Sequence, residues 1–327
     1  MTDLATLADR LATQETLSDA DVLALRRAIF PDGTVCAADV GMLWALHDRF
    51  GASHPAWSEL FIEAMVVSLL EQASPRGYLS EADAVALIAR IDRDGRVSAP
   101  TEFELLVQLI ERAVRVPADL VDYALAQVVM TVLSGTDSAR PGQPVTAGVI
   151  DDHEVHTLRR LLMGAAGDHG LTLSRVEAEL LFDLADASRD AANAAGWQRL
   201  FVQGIASYLM QGSRRAAPSA AEALRREAWL REAGSVSRFL GRMAGSLFKG
   251  SRSTDLPPAL GSTEDEAAAR MAEAITAGEA DWLVTRMARD GVLSADEQAL
   301  LAFLDGEAPQ AAADLRARVA ELRRLAA

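Results

Sequence analysis

Cysteine occurs once in the 327 residues and tyrosine three times. The lone thiol, Cys36, excludes an intramolecular disulfide and a cysteine-rich zinc site. Positive charge is scarce: 32 Lys and Arg, of which only Lys249 is lysine, face 47 Asp and Glu, for a net −15. A general nucleic-acid binder needs a basic surface that displaces counterions from phosphates, so no nucleic acid is expected as a partner. Long apolar runs are missing too. The longest, around "LVDYALAQVVMTVL", is too short and too polar to span a membrane. The opening "MTDLATLADRLATQETLSD" has no basic stretch followed by an apolar one, so no secretory signal is expected. A soluble, cytoplasmic protein is the resulting expectation. P-loop, G-x-S-x-G and H-E-x-x-H patterns are absent, and the chain is not expected to be an enzyme.

Half of the residues are hydrophobic, yet only 5% are aromatic. Ala and Leu dominate, and both lose little entropy in a helix. Alternating Val/Ile/Thr runs bounded by turns, the usual strand signal, are nearly absent. The expected fold class is all-α.

The chain repeats itself. Residues 17–72 resemble 149–211: Leu25-Arg26-Arg27 matches Leu158-Arg159-Arg160, and Leu43, Leu46 and Asp48 match Leu181, Leu184 and Asp186. Trp57, Leu60 and Phe61 match Trp197, Leu200 and Phe201. A second pair sets "SEADAVALIARIDRDGRVSAPTEFELLVQL" (80–109) over "TAGEADWLVTRMARDGVLSADEQALLAFL" (276–304). Matches that stay in register over several helices point to a duplication. The predicted organisation is a first half at 1–132, a linker at 133–148 rich in Gly, Pro, Ser and Thr, and a second half at 149–327. Residues 212–265 have no counterpart in the first half, where only "ASPRGYL" joins the two units, and read as an insertion.

Each unit parses as helix, tight turn, helix. Gly supplies the backbone angles that end one helix, and the Ser or Thr beyond it is placed to cap the next. An acid or Gln three to four residues further on completes a capping box in the Arg-Asp-Gly turns. Leu105, Leu106, Leu109 and Ile110 then recur at helical spacing, marking a buried face. Trp57 and Trp197, in equivalent places before apolar helices, are expected in the core. Cys36 opens a helix where a dipole could lower a thiol pKa, but its counterpart is Ser174, which favours a cap-like role.

Metal chemistry has two candidate locations. "DRDG" has the look of a calcium loop, which needs oxygen donors at fixed offsets and a closing Glu. With Gly95 at the invariant glycine, Asp94 and Asp92 fall on ligand positions, but Arg90 and Thr101 occupy the first and last. Around Gly291, Glu297 fits the last position while Arg286 sits first. Capping is therefore the favoured role of these turns. "DDHEVH" places His153 and His156 on one helix face among three acids, where a divalent ion could be held if the acids converge. Acids at a helix start also complement its dipole without any metal.

These turns, Asp32-Gly33-Thr34-Val35, Asp94-Gly95-Arg96-Val97-Ser98 and Asp290-Gly291-Val292-Leu293-Ser294, with "GDHGLTLSRVEAELL" as a degenerate copy, resemble those of tellurite-resistance TerB-like domains. The resemblance implies two duplicated TerB-like helical bundles in one chain. It also implies links to metal or stress responses and to scaffolding, with turn acids as metal contacts. By position these are Asp32, Asp94 and Asp290. The closing acid differs between copies, being Asp39 in one and Glu102 in another.

The insertion reverses the charge of the chain. Residues 212–253 carry nine basic side chains against Glu222, Glu227 and Glu232, or +6 within a chain of −15. "VSRFLGRMAGSLFKGSR" spaces Val236, Phe239, Leu240, Met243, Leu247 and Phe248 as one helical face, with Arg238, Arg242 and Lys249 between them. Such a segment suits an anionic membrane surface or a partner's groove. Docking on the protein's own core is the simpler alternative.

The expected function is a non-catalytic interaction or scaffold protein, stress-related by resemblance. Its contact with a protein partner, or peripherally with a membrane, would run through Arg238, Phe239, Arg242, Met243, Phe248 and Lys249. The alternative is a divalent-metal sensor using Asp32, Asp94 and Asp290 or the His153/His156 pair. No cofactor beyond such an ion is expected.

Overall fold

The computed structural model describes residues 4–51, 54–93, 96–97, 99–135, 145–165, 173–209, 277–287, 289 and 293–307. Helices make up nearly all of the regular structure there, as the composition requires. In chain order they are α1 (Leu4–Leu11), α2 (Asp19–Ile29), α3 (Val40–Phe50) and α4 (Pro55–Val66), which runs on into a π-helical turn, Val67–Glu71. Then come α5 (Glu81–Ile91), α6 (Pro100–Arg112), α7 (Ala118–Ser134), α8 (Asp152–Ala165), α9 (Arg175–Ala187), α10 (Ala195–Leu209), α11 (Ala277–Met287) and α12 (Ala295–Glu307). None among the described residues is long and apolar enough to cross a membrane.

Local chemistry sets the helix starts. Ser18 with Asp21 and Ser174 with Glu177 form reciprocal capping boxes at α2 and α9. Ser294 and Glu297 do the same at α12: the Ser294 amide donates to the Glu297 carboxylate at 2.7 Å, and the Glu297 amide to the Ser294 hydroxyl at 3.2 Å. Such boxes satisfy amides that a helix start leaves without intrahelical partners. Pro55 and Pro100 open α4 and α6, where a missing N–H costs nothing.

Three local expectations need correction. The Arg-Asp-Gly turn after α5 is flanked by a small antiparallel hairpin, β1 (Asp92–Arg93) on β2 (Arg96–Val97), rather than passing directly from helix to helix. At Asp32-Gly33, Thr34 does not cap: its hydroxyl and amide both donate to the Asp32 carboxylate, at 2.6 and 3.0 Å. Cys36 instead precedes a short 3-10 turn, Ala37–Asp39, without a side-chain cap bond. α7 runs two residues into the expected linker, through Ser134, and ends on Gly135 in the left-handed conformation.

One continuous apolar core runs through both halves. α6 and α7 pack on α8, and α7 packs on α9. The α6–α8 crossing is close because Gly164 has no side chain; a Cβ there would stand 2.8 Å from the Glu111 Cα. Arg160 of α8 then grips α6 at two acids, two turns apart on one face. It donates two bonds to Glu104, each 2.8 Å, and two to Glu111 at 2.8 and 2.6 Å. Bidentate guanidinium–carboxylate pairs are the stronger kind of ion pair.

Packing recurs between the halves. Trp57 and Phe61 lie 6.2 Å apart at 45°, Trp197 and Phe201 6.1 Å apart at 46°. All four side chains are buried, and burying an aromatic of this size stabilises the fold by about 2–3 kcal/mol. A second recurrence joins more distant segments. Arg90 of α5 lies over the Trp44 ring at 4.6 Å and pairs with Asp48 at 2.5 Å. Arg286 of α11 lies over Phe182 at 5.2 Å and pairs with Asp186 at 2.9 Å. Each tie pins the later helix of its half onto the earlier one.

Candidate functional site

The glycine turns are held from behind by glutamines. Gln72, just past the π-turn, brackets Val35: its carboxamide oxygen accepts from the Val35 amide at 2.9 Å, and its nitrogen donates to the Val35 carbonyl at 3.0 Å. Gln127 of α7 accepts from the buried Val97 amide at 3.1 Å. In both turns the bracketed residue is the valine two positions past glycine. Local sequence gives no hint of this, because the glutamines lie 37 and 30 residues downstream.

Asp32 stands at a fully exposed turn. The bonds from the Thr34 hydroxyl and amide hold its carboxyl below the ordinary carboxylate value. Both bonds are local, so this acid behaves as turn chemistry. Asp94 and Asp290 lie outside the described residues. His153 and His156 are exposed on the first turns of α8, where Asp151 accepts from the His153 amide at 2.7 Å. Among the described residues, no three His, Cys, Asp or Glu side chains converge in a metal-binding group. Arg238, Phe239, Arg242, Met243, Phe248 and Lys249 also lie outside the described residues.

Beside the β1–β2 pair the fold gathers four polar groups, of which the sequence singles out Asp92 and Glu102 but not His47 or Tyr123. His47 of α3 is buried, its ring stacked on Phe61 at 4.2 Å and 11°. Its Nε2 is 3.9 Å from the buried Glu102 carboxylate of α6. Tyr123 of α7 has its hydroxyl pushed up to about 12, by burial first and then by the negative charges of Asp92 and Glu102. One oxygen of Asp92 is buried there without a hydrogen bond from the described residues. Residues from α3, β1, α6 and α7 thus meet beside the β1–β2 pair. His47 looked unremarkable in sequence because its partner is 55 positions away.

In the second half the dense polar site is the Arg286 tie itself. Besides Asp186, its guanidinium contacts Glu179 at 3.3 Å and Asp183 at 2.5 Å. The Trp282 indole donates to Glu179 at 2.5 Å, and Arg175 lies over the Trp282 ring. Nothing in this arrangement places a nucleophile beside a base; its ion pairs fasten α11 to α9, although the Arg286 Nε and Nη1 are buried without a well-aligned hydrogen bond among the described residues.

No protein-family model, curated protein or solved structure matches the chain.

Proposed function

We propose that the protein is a non-catalytic helical scaffold of TerB-like type. It is built from two copies of one helical module and contacts a protein partner or a membrane surface through residues 212–253. The observation that carries this reading is the recurrent tie. Arg90 with Asp48 and Trp44, and Arg286 with Asp186 and Phe182, occupy matching places in two independent sequence alignments. Such a recurrence is what a copied packing scheme leaves behind, and the buried polar groups mostly serve that packing. Charge supports the contact segment: with +6 on 212–253, the remainder of the −15 chain carries −21. An acidic body holding one basic amphipathic segment favours an anionic target for that segment.

The experiment compares the full chain with the triple variant Arg238→Glu, Arg242→Glu and Lys249→Glu. Partner recovery from cell extract and co-sedimentation with vesicles containing anionic lipid are read side by side. Loss of one of these in the variant is expected; equal recovery by both proteins would remove the segment from the proposal.

A second reading, divalent-metal sensing, rests on the resemblance, which makes Asp32, Asp94 and Asp290 metal contacts, or on the His153/His156 pair at the start of α8. Metal analysis and thermal shift with calcium, zinc and manganese test it. No bound metal and no shift in Tm with any of the three would retire it.

A further inference from the structure

We propose that a groove beside the π-turn docks a partner peptide that inserts an apolar side chain flanked by carboxylates. This deepens the scaffold reading and rests on it. The groove encloses about 460 Å³ between the end of α4 and the segment that follows α6. Val66 and Leu70 close its bottom, and Val114, nearly half exposed, forms a wall. Gly77, at φ +81°, lies directly against Val114 in that wall, where a Cβ would come within 2.8 Å of the Val114 side chain, so their close approach depends on glycine. The Val114 amide bonds to the Gly77 carbonyl at 2.8 Å, fixing the two together.

The rim supplies the charge. Arg112 donates to one Glu71 oxygen at 3.0 Å and Arg76 to the other at 3.4 Å, with 47% and 73% of these arginine side chains exposed. A guanidinium carries five N–H donors, and Glu71 engages one from each. The rim is therefore +1 with spare donors, on a chain of −15. Arginine forks match carboxylates in geometry as well as charge. An acidic peptide with an apolar anchor satisfies both rim and floor; a basic one would meet two arginines.

Two differences from the second half set this place apart from the shared packing. The end of α4 widens into a π-turn over Val67–Glu71, whereas the matching residues 207–209 remain α-helical in α10. Such turns are frequent at functional sites. In the register that sets Asp94-Gly95 on Asp290-Gly291, Arg112 and Val114 fall on Ala308 and Gln310. The packing residues recur between halves, whereas Arg112 and Val114 of the groove do not.

The test uses the full chain and a fluorescein-labelled hexapeptide with two central leucines flanked by glutamates, read by anisotropy. The same peptide with lysines for glutamates is the comparison. The acidic peptide is expected to bind with a Kd of about 10–100 μM, and the basic one not to saturate. Arg112→Glu should weaken binding at least about tenfold, while Arg27→Glu, a like change on exposed α2, should not. Should Arg112→Glu unfold, Arg76→Glu carries the same expectation from a more exposed position. Equal affinity for the two peptides, no saturation by the acidic one, or indifference to both rim variants overturns the proposal. Displacement of the peptide by hexanoate at equal affinity would reassign the groove to a small carboxylate. A concentration-dependent dimer abolished by Arg112→Glu would reassign it to a second copy. Failure here leaves the 212–253 comparison unaffected, so the two proposals fall separately.

Discussion

Arg286→Ala should be the most informative substitution in the helical body. The arginine side chain is only 5% exposed, yet it touches three carboxylates and the face of Phe182. Removing one member of a buried ion pair costs about 3–5 kcal/mol, because the other charge is left without compensation. Here the acids are 35–57% exposed and regain water, which favours the low end. Three carboxylates then repel one another on one helix face, and the alkyl stem no longer covers Phe182. The expected loss is about 3 kcal/mol. Arg90→Ala provides the internal scale. Its pair with Asp48 is 31% and 42% exposed, which limits the ion pair to about 1 kcal/mol. The stack on Trp44 adds about 0.5–1 kcal/mol. Guanidinium titration followed by circular dichroism, with an unchanged m-value, gives both numbers. If Arg286→Ala falls within about 0.5 kcal/mol of wild type, or matches Arg90→Ala, the tie is not what fastens α11 to α9.

Three further substitutions probe other levels. Asp296→Ala removes the 2.9 Å acceptor of the buried Trp197 indole N–H, and should cost about 1–3 kcal/mol with a shift in tryptophan emission; unchanged stability would mean that water replaces it freely. Gln72→Leu deletes both bonds to Val35 and should speed hydrogen exchange at that amide, with the Trp197 side of the molecule unaffected. Acid should loosen the α6–α8 seam through Glu104. Burial works to raise its carboxyl, but bonds from Arg160 and Gln108 outweigh that and hold it below the ordinary 4.5. Its stabilising share is thus complete above 4.5 and lost as pH falls through the lower folded value. Glu104→Gln should flatten that acid limb, and an identical pH profile would show that Arg160 draws its hold from Glu111 alone.

Much of the fold was legible from local pattern. The capping boxes at Ser174 and Ser294 follow from spacing alone, because cap and partner sit three residues apart. The burial of Leu105, Leu106, Leu109 and Ile110 follows from helical periodicity, and that of Trp57 and Trp197 from their equivalent places in the repeat. The groups beneath the turns were not legible. Gln127 reaches Val97 across 30 residues and Glu102 reaches His47 across 55, distances at which single-sequence patterns carry no signal. Asp48 and Asp186 were matched to each other in sequence, but their partners Arg90 and Arg286 belonged to a separate alignment. Overlaying both alignments would have exposed that tie, since only the fold shows that the two alignments meet.

The same comparison separates what the helical body needs from what it can spare. Trp57 donates its buried indole N–H to nothing among the described residues, while its counterpart Trp197 has Asp296. The position matching Asp296 in the first half is Pro100, which starts α6 but cannot accept a bond. A buried donor without a partner costs about 1–3 kcal/mol, so the first half tolerates a defect that the second half lacks. The nearby Thr101 hydroxyl bonds to Ser58 at 3.1 Å, which shows that the α4–α6 junction is polar at this end. Pro100→Asp therefore offers the first half the acceptor it lacks, and should raise Tm if the indole of Trp57 points as that of Trp197 does. A lowered Tm would mean that the two halves share their helices but not this junction.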